Sequence, residues 1–343
     1  MSTTHSNYDE VLRSVQEAAS RPSLSGFKPK SDCGAQLGSL QPSNCDMRSL
    51  PAPRRIPLLA ASVALLGWPR RRWHSLRSYA RACTSCAYLP DPPTKRGRIF
   101  TKRLSRFLVW LQVGKIEITG TADLVSGGPK IIAANHPHSV DPFIFGVLLL
   151  EAARYMTARG VMKFCGGIGA LILGPCGAFC ADLRRGKGVL ALKSGVRVLT
   201  SGQTLVIFPE GWAHLDGITR PFKRGVVHIA REAAAQLGHP IPIVPVYLQH
   251  GAHPGGWINR LNPRLQFLLV PLAFPIYRRG VKVTVGAPIL SSALPAGETL
   301  ATAHLRAEIL SLDAANNRGG LSASEPIREP NGEMAAAHPS RSG

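Results

Sequence analysis

The sequence predicts an α/β fold in which a mostly parallel central sheet is flanked by helices, preceded by a basic and apolar N-terminal segment. Two observations support this fold. Short apolar runs alternate along the chain with longer segments whose apolar residues recur at helical spacing. Helices between successive strands provide the long crossovers that parallel pairing needs. The chain of 343 residues is also 45% hydrophobic, which is enough apolar surface to cover both faces of such a sheet.

The individual elements follow from the spacing of the apolar residues. In residues 98–112 the apolar positions form a helical stripe opposite a basic face, and residues 130–134 form a short apolar run typical of a buried strand. Gly202 and Gly238 follow two helical patterns, where glycine commonly ends a helix. These patterns predict helices at 98–112, 143–155, 187–200, 225–237 and 300–312, and strands at 115–119, 130–134, 204–208, 241–248 and 281–285.

The two ends of the chain differ in composition from its middle. Residues 1–50 are rich in Ser, Pro, Gly and Asn and carry five basic and five acidic residues, and residues 314–343 are similar. Segments of this composition bury too little apolar surface to fold, so we expect both to be disordered. This leaves a basic and apolar segment at 51–97 and one folded domain at 98–313, a length typical of a single domain.

Positive charge is concentrated just before the predicted domain. The whole chain carries +21, and residues 51–110 alone carry thirteen Lys or Arg against one Asp, a net of +12. Within them, residues 56–68 form an apolar run bracketed by arginines. As a helix this run would be about 20 Å long, too short for a hydrocarbon core about 30 Å thick. We therefore expect residues 51–97 to associate with an anionic membrane surface, with a buried core helix as the alternative.

The residues before the predicted domain disfavour two other interpretations, nucleic-acid binding and secretion. They lack the interleaved aromatic residues of a nucleic-acid platform, so nucleic acid is not the expected partner. The first fifty residues are polar and contain no apolar stretch of a secretory signal, whereas a plastid transit peptide stays open. We expect a membrane-associated protein on the cytoplasmic face.

The seven cysteines indicate no metal site. Cys83 and Cys86 form a lone CxxC without a second pair at zinc spacing. Cys165, Cys176 and Cys180 lie in apolar or glycine-rich sequence, which is typical of small core residues. This usage fits a reducing cytosol, and we expect no bound metal.

Two predicted strands end abruptly in chemically active side chains. The strand at 130–134 runs into Asn-His-Pro-His-Ser-Val-Asp, which places His136 and Asp141 just beyond it, and the strand at 204–208 is followed by Glu210. Parallel sheets bind ligands beyond the carboxyl ends of their strands, so these residues would share one edge. Turn formation is the alternative explanation, with Asp141 as a helix N-cap followed by proline.

These stretches resemble the motifs of the glycerolipid acyltransferase family, which includes the glycerol-3-phosphate and 1-acyl-glycerol-3-phosphate acyltransferases. The resemblance runs from about residue 98 to residue 312 and keeps the order and gaps of the family's blocks. Its blocks are His136-x4-Asp141, Gly177-Ala-Phe179 with the nearby Arg184, Phe208-Pro-Glu-Gly211, Pro221-Phe-Lys-Arg-Gly225 and Ile243-Val-Pro-Val246.

The resemblance implies transfer of an acyl group from acyl-CoA or acyl carrier protein to a hydroxyl of a glycerophosphate or lysophospholipid, with no cofactor. His136 would act as the general base and Asp141 would orient its ring, because a neutral imidazole takes up a hydroxyl proton near neutral pH. The sequence contains no Gly-x-Ser-x-Gly nucleophile motif, so we expect direct transfer without an acyl-enzyme.

The acceptor side departs from the family pattern. Family members usually continue Phe-Pro-Glu-Gly with Thr-Arg-Ser, whereas this chain has Trp212-Ala213-His214, so the arginine associated with the acceptor phosphate is missing. The expected acceptor and phosphate-binding residues are Glu210, Gly211, Arg184 and Arg185, with Lys223 and Arg224 as further candidates.

The altered block keeps two other functions open. One is acylation of another lipid or amine head group, which needs the same base but a different acceptor site. The other is a non-enzymatic lipid-binding protein on the same scaffold, which the retained His136, Asp141 and Glu210 disfavour.

Overall fold

The computed structural model describes residues 70–120, 122–125, 127–149, 151, 153–182, 184, 188–253 and 278–321. The expectations for residues 1–69, for Arg185 and for the tail from residue 322 onward lie outside the described residues.

The elements follow one another as the alternating pattern predicts, with additions in the middle of the chain. The helices are α1 (Arg70–Cys83), α2 (Lys95–Gln112), α3 (Ala122–Val125), α4 (Asp141–Leu148), α5 (Arg159–Met162), α6 (Phe164–Leu173), α7 (Val189–Thr200), α8 (Gly225–Leu237) and α9 (Glu298–Leu321). The strands are β1 (Ile116–Thr119), β2 (Ile131–Ala134), β3 (Arg154–Ala158), β4 (Ala178–Ala181), β5 (Leu205–Ile207), β6 (Pro242–His250), β7 (Val281–Val285) and β8 (Ile289–Leu290).

The strands form one mixed sheet in the order β1-β7-β6-β2-β5-β3-β4, with β8 paired to β6. Strands β6, β2, β5, β3 and β4 are parallel to one another. Strand β7 is antiparallel to β6, and β1 is parallel to β7. The predicted mostly parallel sheet is confirmed. The carboxyl ends of its five parallel strands lie at one edge, which we call the carboxyl edge.

Helices cover both faces of the sheet because its central strand is apolar on both sides. Ile132 and Ala134 of β2 face a core shared with α2 and α4, whereas Ile131 and Ala133 face a second core shared with α7, α8 and α9. All four side chains are fully buried. Residues two apart on a strand point to the same face, so one continuous apolar run supplies both cores.

The structure corrects the predicted helix at 143–155. Helix α4 ends at Leu148, and the chain then enters β3 at Arg154. Arg154 is fully buried and its guanidinium donates to the Pro90 carbonyl, so β3 carries a charged residue where an apolar one is typical of a strand. Strand β4 and helices α5 and α6 are likewise absent from the predicted elements. Their sequences contain many small residues and show neither the alternation typical of a strand nor the 3.6-residue period typical of a helix.

Helix α1 and the turn after it pack into the folded unit. Ala80, Cys83 and Cys86 are buried in the same core as α4. Part of the segment 51–97 therefore belongs to the folded unit, while its association with a membrane stays a prediction. No helix in the described part of the chain is long and apolar enough to cross a membrane.

The cysteines differ from expectation at two positions. Cys180 is buried but forms a disulfide with Cys86, a linkage that is rare in cytosolic proteins. Cys165 is exposed, because it lies in a left-handed turn (φ 46°) next to α5 and not on a buried helix face. Cys83 and Cys176 are buried free thiols. The cysteine pattern therefore does not by itself support a reducing compartment.

Candidate active site

His136 and Glu210 meet at the carboxyl edge of the sheet. Strands β2 and β5 are paired neighbours, so the residues that follow them lie side by side. The backbone N–H of His136 donates to Glu210 Oε1 at 2.7 Å, which joins the two loops directly. The structure thus brings together the two strand ends that the sequence analysis singled out.

Asn135 fixes the end of β2. Its side-chain amide donates to the Leu248 carbonyl at 3.0 Å and accepts the Leu248 N–H at 2.7 Å, as a backbone partner would. This clamp ends the pairing of β2 with β6 at a defined residue, and the next residue, His136, turns into the site. In sequence, an asparagine after an apolar run indicates only a turn, so this role becomes visible only with β6 in place.

Asp141 begins α4 but does not cap it. The N-cap residue is Val140, which makes no side-chain capping bond. The Asp141 side chain is fully buried and turns toward His136, with Oδ2 lying 2.8 Å from Nδ1 of the ring. The alternative explanation of Asp141 as a helix N-cap is therefore wrong.

The ring of His136 is held at Nδ1 and on one face. Asp141 binds Nδ1, and the Phe208 ring stacks on the imidazole with centroids 4.1 Å apart. The His136 side chain is 14% exposed. Because an ionised carboxylate can only accept, Nδ1 carries the proton and the lone pair of Nε2 is available to a substrate.

Three donors converge on the Asp141 carboxylate. The His136 ring and the backbone N–H of His138 donate to Oδ2 at 2.8 Å each, and His250 Nε2 donates to Oδ1 at 2.7 Å. Burial alone would raise the pKa of Asp141, but His250 and the hydrogen bonds from both imidazoles outweigh it and hold the pKa below its ordinary value. Asp141 is therefore ionised at neutral pH, which is the state that orients an imidazole base.

His250 is a site residue that the sequence analysis missed. It ends β6, the other parallel neighbour of β2, and its ring stacks on His138 with centroids 5.1 Å apart. Burial, followed by the neighbouring His250, lowers the pKa of His138 to about 3, so His138 is neutral. The sequence signal that could have identified His250 is the one that marked His136, a polar residue at the end of a buried strand.

Glu210 is engaged by backbone groups on both of its oxygens. Oε1 accepts from His136, and Oε2 accepts the N–H of Arg220 at 2.8 Å. Burial raises the pKa of Glu210, and these two hydrogen bonds oppose the shift. The backbone N–H of His214 donates to the His136 carbonyl at 2.8 Å, which ties the same loops a second time. Glu210 thus positions His136, and its expected contact with the acceptor stays a prediction.

Two other predicted acceptor residues, Gly211 and Arg184, lie at different positions along the carboxyl edge. Gly211 directly follows Glu210 and has a left-handed backbone, with φ of 79°. Arg184 lies after β4, at the far end of the sheet, and its Nε is 2.9 Å from Oδ1 of Asp182. Its side chain is 60% exposed. Contact of Arg184 with the acceptor stays a prediction.

The arrangement is suited to removing a proton from a hydroxyl group. With Nδ1 held by Asp141, the lone pair of His136 Nε2 is left for a substrate, and Asp141 would stabilise the positive charge of the ring if it took a proton. Across the described ranges, no group of three or more His, Cys, Asp or Glu side chains is arranged to hold a metal ion.

The region that contains this site is similar to known proteins. Residues 115–249 match the model of the Acyltransferase family. The human 1-acyl-sn-glycerol-3-phosphate acyltransferase alpha is 26% identical over 136 residues, which are 39% of this chain and 45% of the relative. The 1-acyl-sn-glycerol-3-phosphate acyltransferase of Borreliella burgdorferi is 24% identical over 140 residues, 40% of this chain and 55% of the relative. The chain thus spans about half the length of these curated relatives.

A solved structure is also similar to this chain. The crystal structure of the 1-acyl-sn-glycerophosphate acyltransferase from Thermotoga maritima matches 78% of this chain and 94% of its own, with 16% identity and a TM-score of 0.43, a likeness too low to support an argument. Residues 115–249, which contain His136, Asp141 and Glu210, thus match the Acyltransferase family model, and the similar sequences are those of 1-acyl-sn-glycerol-3-phosphate acyltransferases.

Proposed function

We propose that the protein is an O-acyltransferase of phospholipid biosynthesis. It moves a fatty acyl group from acyl-CoA or acyl carrier protein to a hydroxyl of a glycerophosphate or lysophospholipid, with 1-acyl-sn-glycerol-3-phosphate as the leading acceptor. The observation that carries the proposal is the hydrogen-bonded pair of His136 and the fully buried Asp141 at the carboxyl edge, inside the region that matches the family model.

The reaction needs a base that first takes a proton and then returns it. His136 Nε2 takes the proton of the acceptor hydroxyl while the oxygen attacks the thioester carbonyl, and Asp141 stabilises the imidazolium through Nδ1–H. The tetrahedral intermediate then collapses, the C–S bond breaks, and the leaving thiolate takes the proton back from Nε2. The net result is one new ester, one free thiol and an unchanged histidine, without a bound cofactor.

The choice of acceptor is supported by the names of the relatives, which are 1-acyl-sn-glycerol-3-phosphate acyltransferases. One observation favours a second candidate. Ala213 stands where the family has an arginine, so transfer to another lipid or amine head group is the alternative function.

The partners and location are proposed on charge and chemistry. The acceptor and the product are lipids, and the net charge of +21 favours an anionic membrane surface. We propose a peripheral or monotopic protein on the cytoplasmic face. Alkylation of Cys86 and Cys180 in rapidly quenched cells tests the compartment, because a reducing cytosol keeps both thiols free.

The proposed function is tested by incubating the purified full-length chain with labelled acyl-CoA or acyl carrier protein and a panel of acceptors. The panel contains glycerol-3-phosphate, 1-acyl-sn-glycerol-3-phosphate, monoacylglycerol and a long-chain amine. We expect transfer to a phosphate-bearing acceptor. We expect His136→Ala to lower turnover by about 10² to 10⁴, the usual contribution of a positioned general base. Asp141→Asn should be severely impaired too, because an amide cannot hold the Nδ1–H tautomer.

A matched control separates catalysis from folding. His239 is exposed near the end of α8, away from the site, so His239→Ala should keep wild-type turnover. Near-normal turnover of His136→Ala, or transfer to the amine alone, would contradict the proposed function.

A further inference from the structure

The geometry of the leading acceptor restricts where its phosphate can bind. In a 1-acyl-glycerol-3-phosphate, the carbon that bears the phosphate is bonded directly to the carbon that bears the attacking hydroxyl. With this hydroxyl at His136 Nε2, the phosphate must lie beside the same loops, and it needs a cation there because a dianion leaving water requires a charge partner.

Arg184 is poorly placed for this task. Three strand positions separate β4 from β2, which is about 14 Å at the usual spacing between strands. Its guanidinium is also already paired with Asp182, which accepts from Arg159 Nη1 at 3.0 Å as well. To reach a phosphate at His136, the side chain would have to leave a carboxylate that it shares with a second arginine.

Lys223 lies much closer to the base. Its backbone N–H donates to the Pro209 carbonyl at 2.8 Å, one residue before the glutamate that holds His136. Its side chain crosses Gly211, with Cε 3.1 Å and Cδ 3.3 Å from where a Cβ on that glycine would lie. Among the described residues, no hydrogen bond or ion pair engages the ammonium group of Lys223.

The polar neighbours of Lys223 are already engaged with other groups. Arg220 is paired through its guanidinium with Asp216, and both oxygens of Glu210 are taken by backbone N–H groups. Burial lowers the pKa of His214, and Arg220, His136 and Lys223 each lower it as well, so these groups lie around one imidazole. Among the described residues next to Glu210, Lys223 is therefore the cation that is not already paired with a carboxylate.

We infer that Lys223 binds the phosphomonoester of the acceptor, in place of the arginine that the family carries at position 213. This inference rests on the proposed function and names the residue that selects its substrate. Glycine at position 211 is then needed for two reasons. Its backbone is left-handed, and the Lys223 side chain occupies the space that a Cβ would need.

The test is a comparison of Michaelis constants in the full-length protein. In Lys223→Met, the KM for 1-acyl-sn-glycerol-3-phosphate should rise tenfold or more, while the KM for the acyl donor stays within twofold. Lys223→Arg should keep most of the affinity, because it keeps the charge. Transfer to monoacylglycerol, which has no phosphate, should be the same in Lys223→Met as in the wild type.

Two matched variants serve as controls. Lys193 is an exposed lysine on α7, so Lys193→Met should leave both KM values unchanged. Arg184→Met compares the other candidate cation directly, and the rise in acceptor KM should be larger in Lys223→Met than in Arg184→Met. If the wild-type enzyme uses the phosphate-bearing acceptor but Lys223→Met leaves its KM unchanged, this inference alone is overturned. A tenfold rise of the acceptor KM in Arg184→Met, without one in Lys223→Met, overturns it as well. A wild-type enzyme that transfers to no phosphate-bearing acceptor overturns the proposed function itself.

Discussion

At the scale of single residues, Asp141 is the side chain on which the polar contacts of the site converge. It holds the proposed base on one oxygen and His250 on the other, and it is fully buried. A buried carboxylate is stable only when its oxygens are hydrogen-bonded. The proposed role of His136 therefore depends on His250, which is hydrogen-bonded to Asp141 and not to His136.

The first prediction concerns His250 as a positioning residue. His250→Leu removes the donor to Asp141 Oδ1 and leaves a buried acceptor unpaired, which should cost about 1–3 kcal/mol of folding free energy. We expect kcat to fall tenfold or more with little change in acceptor KM. His250→Gln keeps an N–H at a similar position and should recover most of kcat. Equal activity of the Leu, Gln and wild-type proteins would show that Asp141 does not need this donor.

The second prediction concerns His138 and pH. Burial lowers its pKa to about 3 from an ordinary value near 6.5. Between these pH values the unfolded chain binds a proton that the folded chain does not. The free energy of unfolding should therefore fall as pH is lowered below about 6.5, by at most about 1.4 kcal/mol per pH unit from this ring.

The measurement is urea unfolding between pH 7 and pH 4. In His138→Asn the side-chain oxygen can still accept the Val140 N–H, as Nδ1 does at 3.2 Å in the wild type. The variant should be less stable at pH 7 but lose less stability on acidification. His239→Asn, at an exposed position, should keep the wild-type slope. An unchanged slope in His138→Asn would mean that this ring takes up its proton in the folded state.

At the scale of elements, the packing of α2 against α4 sets the position of Asp141, the proposed orienting carboxylate. Helix α4 starts at Asp141, and its Gly146 lies against Ser105 of α2. A Cβ on Gly146 would overlap Ser105 Oγ and lie 3.0 Å from Ser105 Cβ. Both residues are buried, so the helices cannot absorb the added methyl group without moving apart.

The third prediction follows from this contact. Gly146→Ala should lower the free energy of unfolding by about 1–3 kcal/mol, the usual effect of overpacking, and should reduce kcat because α4 carries Asp141. Gly160→Ala on α5 is the control, since a Cβ there meets nothing within 4 Å. Its unfolding free energy should stay within about 0.5 kcal/mol of the wild type. If both variants unfold alike, the two helices are not in tight contact.

At the scale of the whole molecule, the N-terminal region contains a part that packs into the folded unit and a segment that we predict to contact a membrane. Helix α1 packs against α6 and contributes buried Ala80 and Cys83 to the core, and the next turn is joined to β4 through Cys86. The segment before α1 carries the apolar run 56–68, which lies outside the described residues. The boundary between the folded unit and a membrane anchor is therefore expected near the start of α1.

The fourth prediction uses two truncations to locate the anchor. Deletion of residues 1–50 should leave sedimentation with anionic liposomes unchanged. Deletion of residues 1–69 should weaken it, because Arg54 and Arg55 contribute about 1 kcal/mol each near such a surface and the apolar run adds to that.

Far-UV circular dichroism controls for folding in this series. The deletion of residues 1–69 should keep the wild-type spectrum, whereas deletion of residues 1–97 should lose structure because α1 is part of the core. Equal sedimentation of the 1–50 and 1–69 deletions would place the membrane contact elsewhere.

The sequence was informative wherever the signal was local. Strand β2 was predictable because four consecutive apolar residues serve two cores, and the polar residues that follow it marked the site. Strand β3 was not, because its first residue is a buried arginine whose partner, the Pro90 carbonyl, is 64 residues away. The residues next to a charged residue in the sequence do not reveal a partner that lies far along the chain.

The sequence by itself determined the class of fold and indicated that His136, Asp141 and Glu210 lie together at one edge of the sheet, because the period of apolar residues and the ends of strands are local properties. Only the tertiary structure decided how these residues are supported. His250 reaches Asp141 across 109 residues and Asn135 pairs with Leu248 across 113, and such contacts exist only after parallel strands have aligned. Lys223 lies beside Gly211 without an ionic partner in the described part of the chain, whereas Arg184 is paired with Asp182. Both follow from the same physical fact, that the partner of a charge is decided by distance in space and not by distance along the chain.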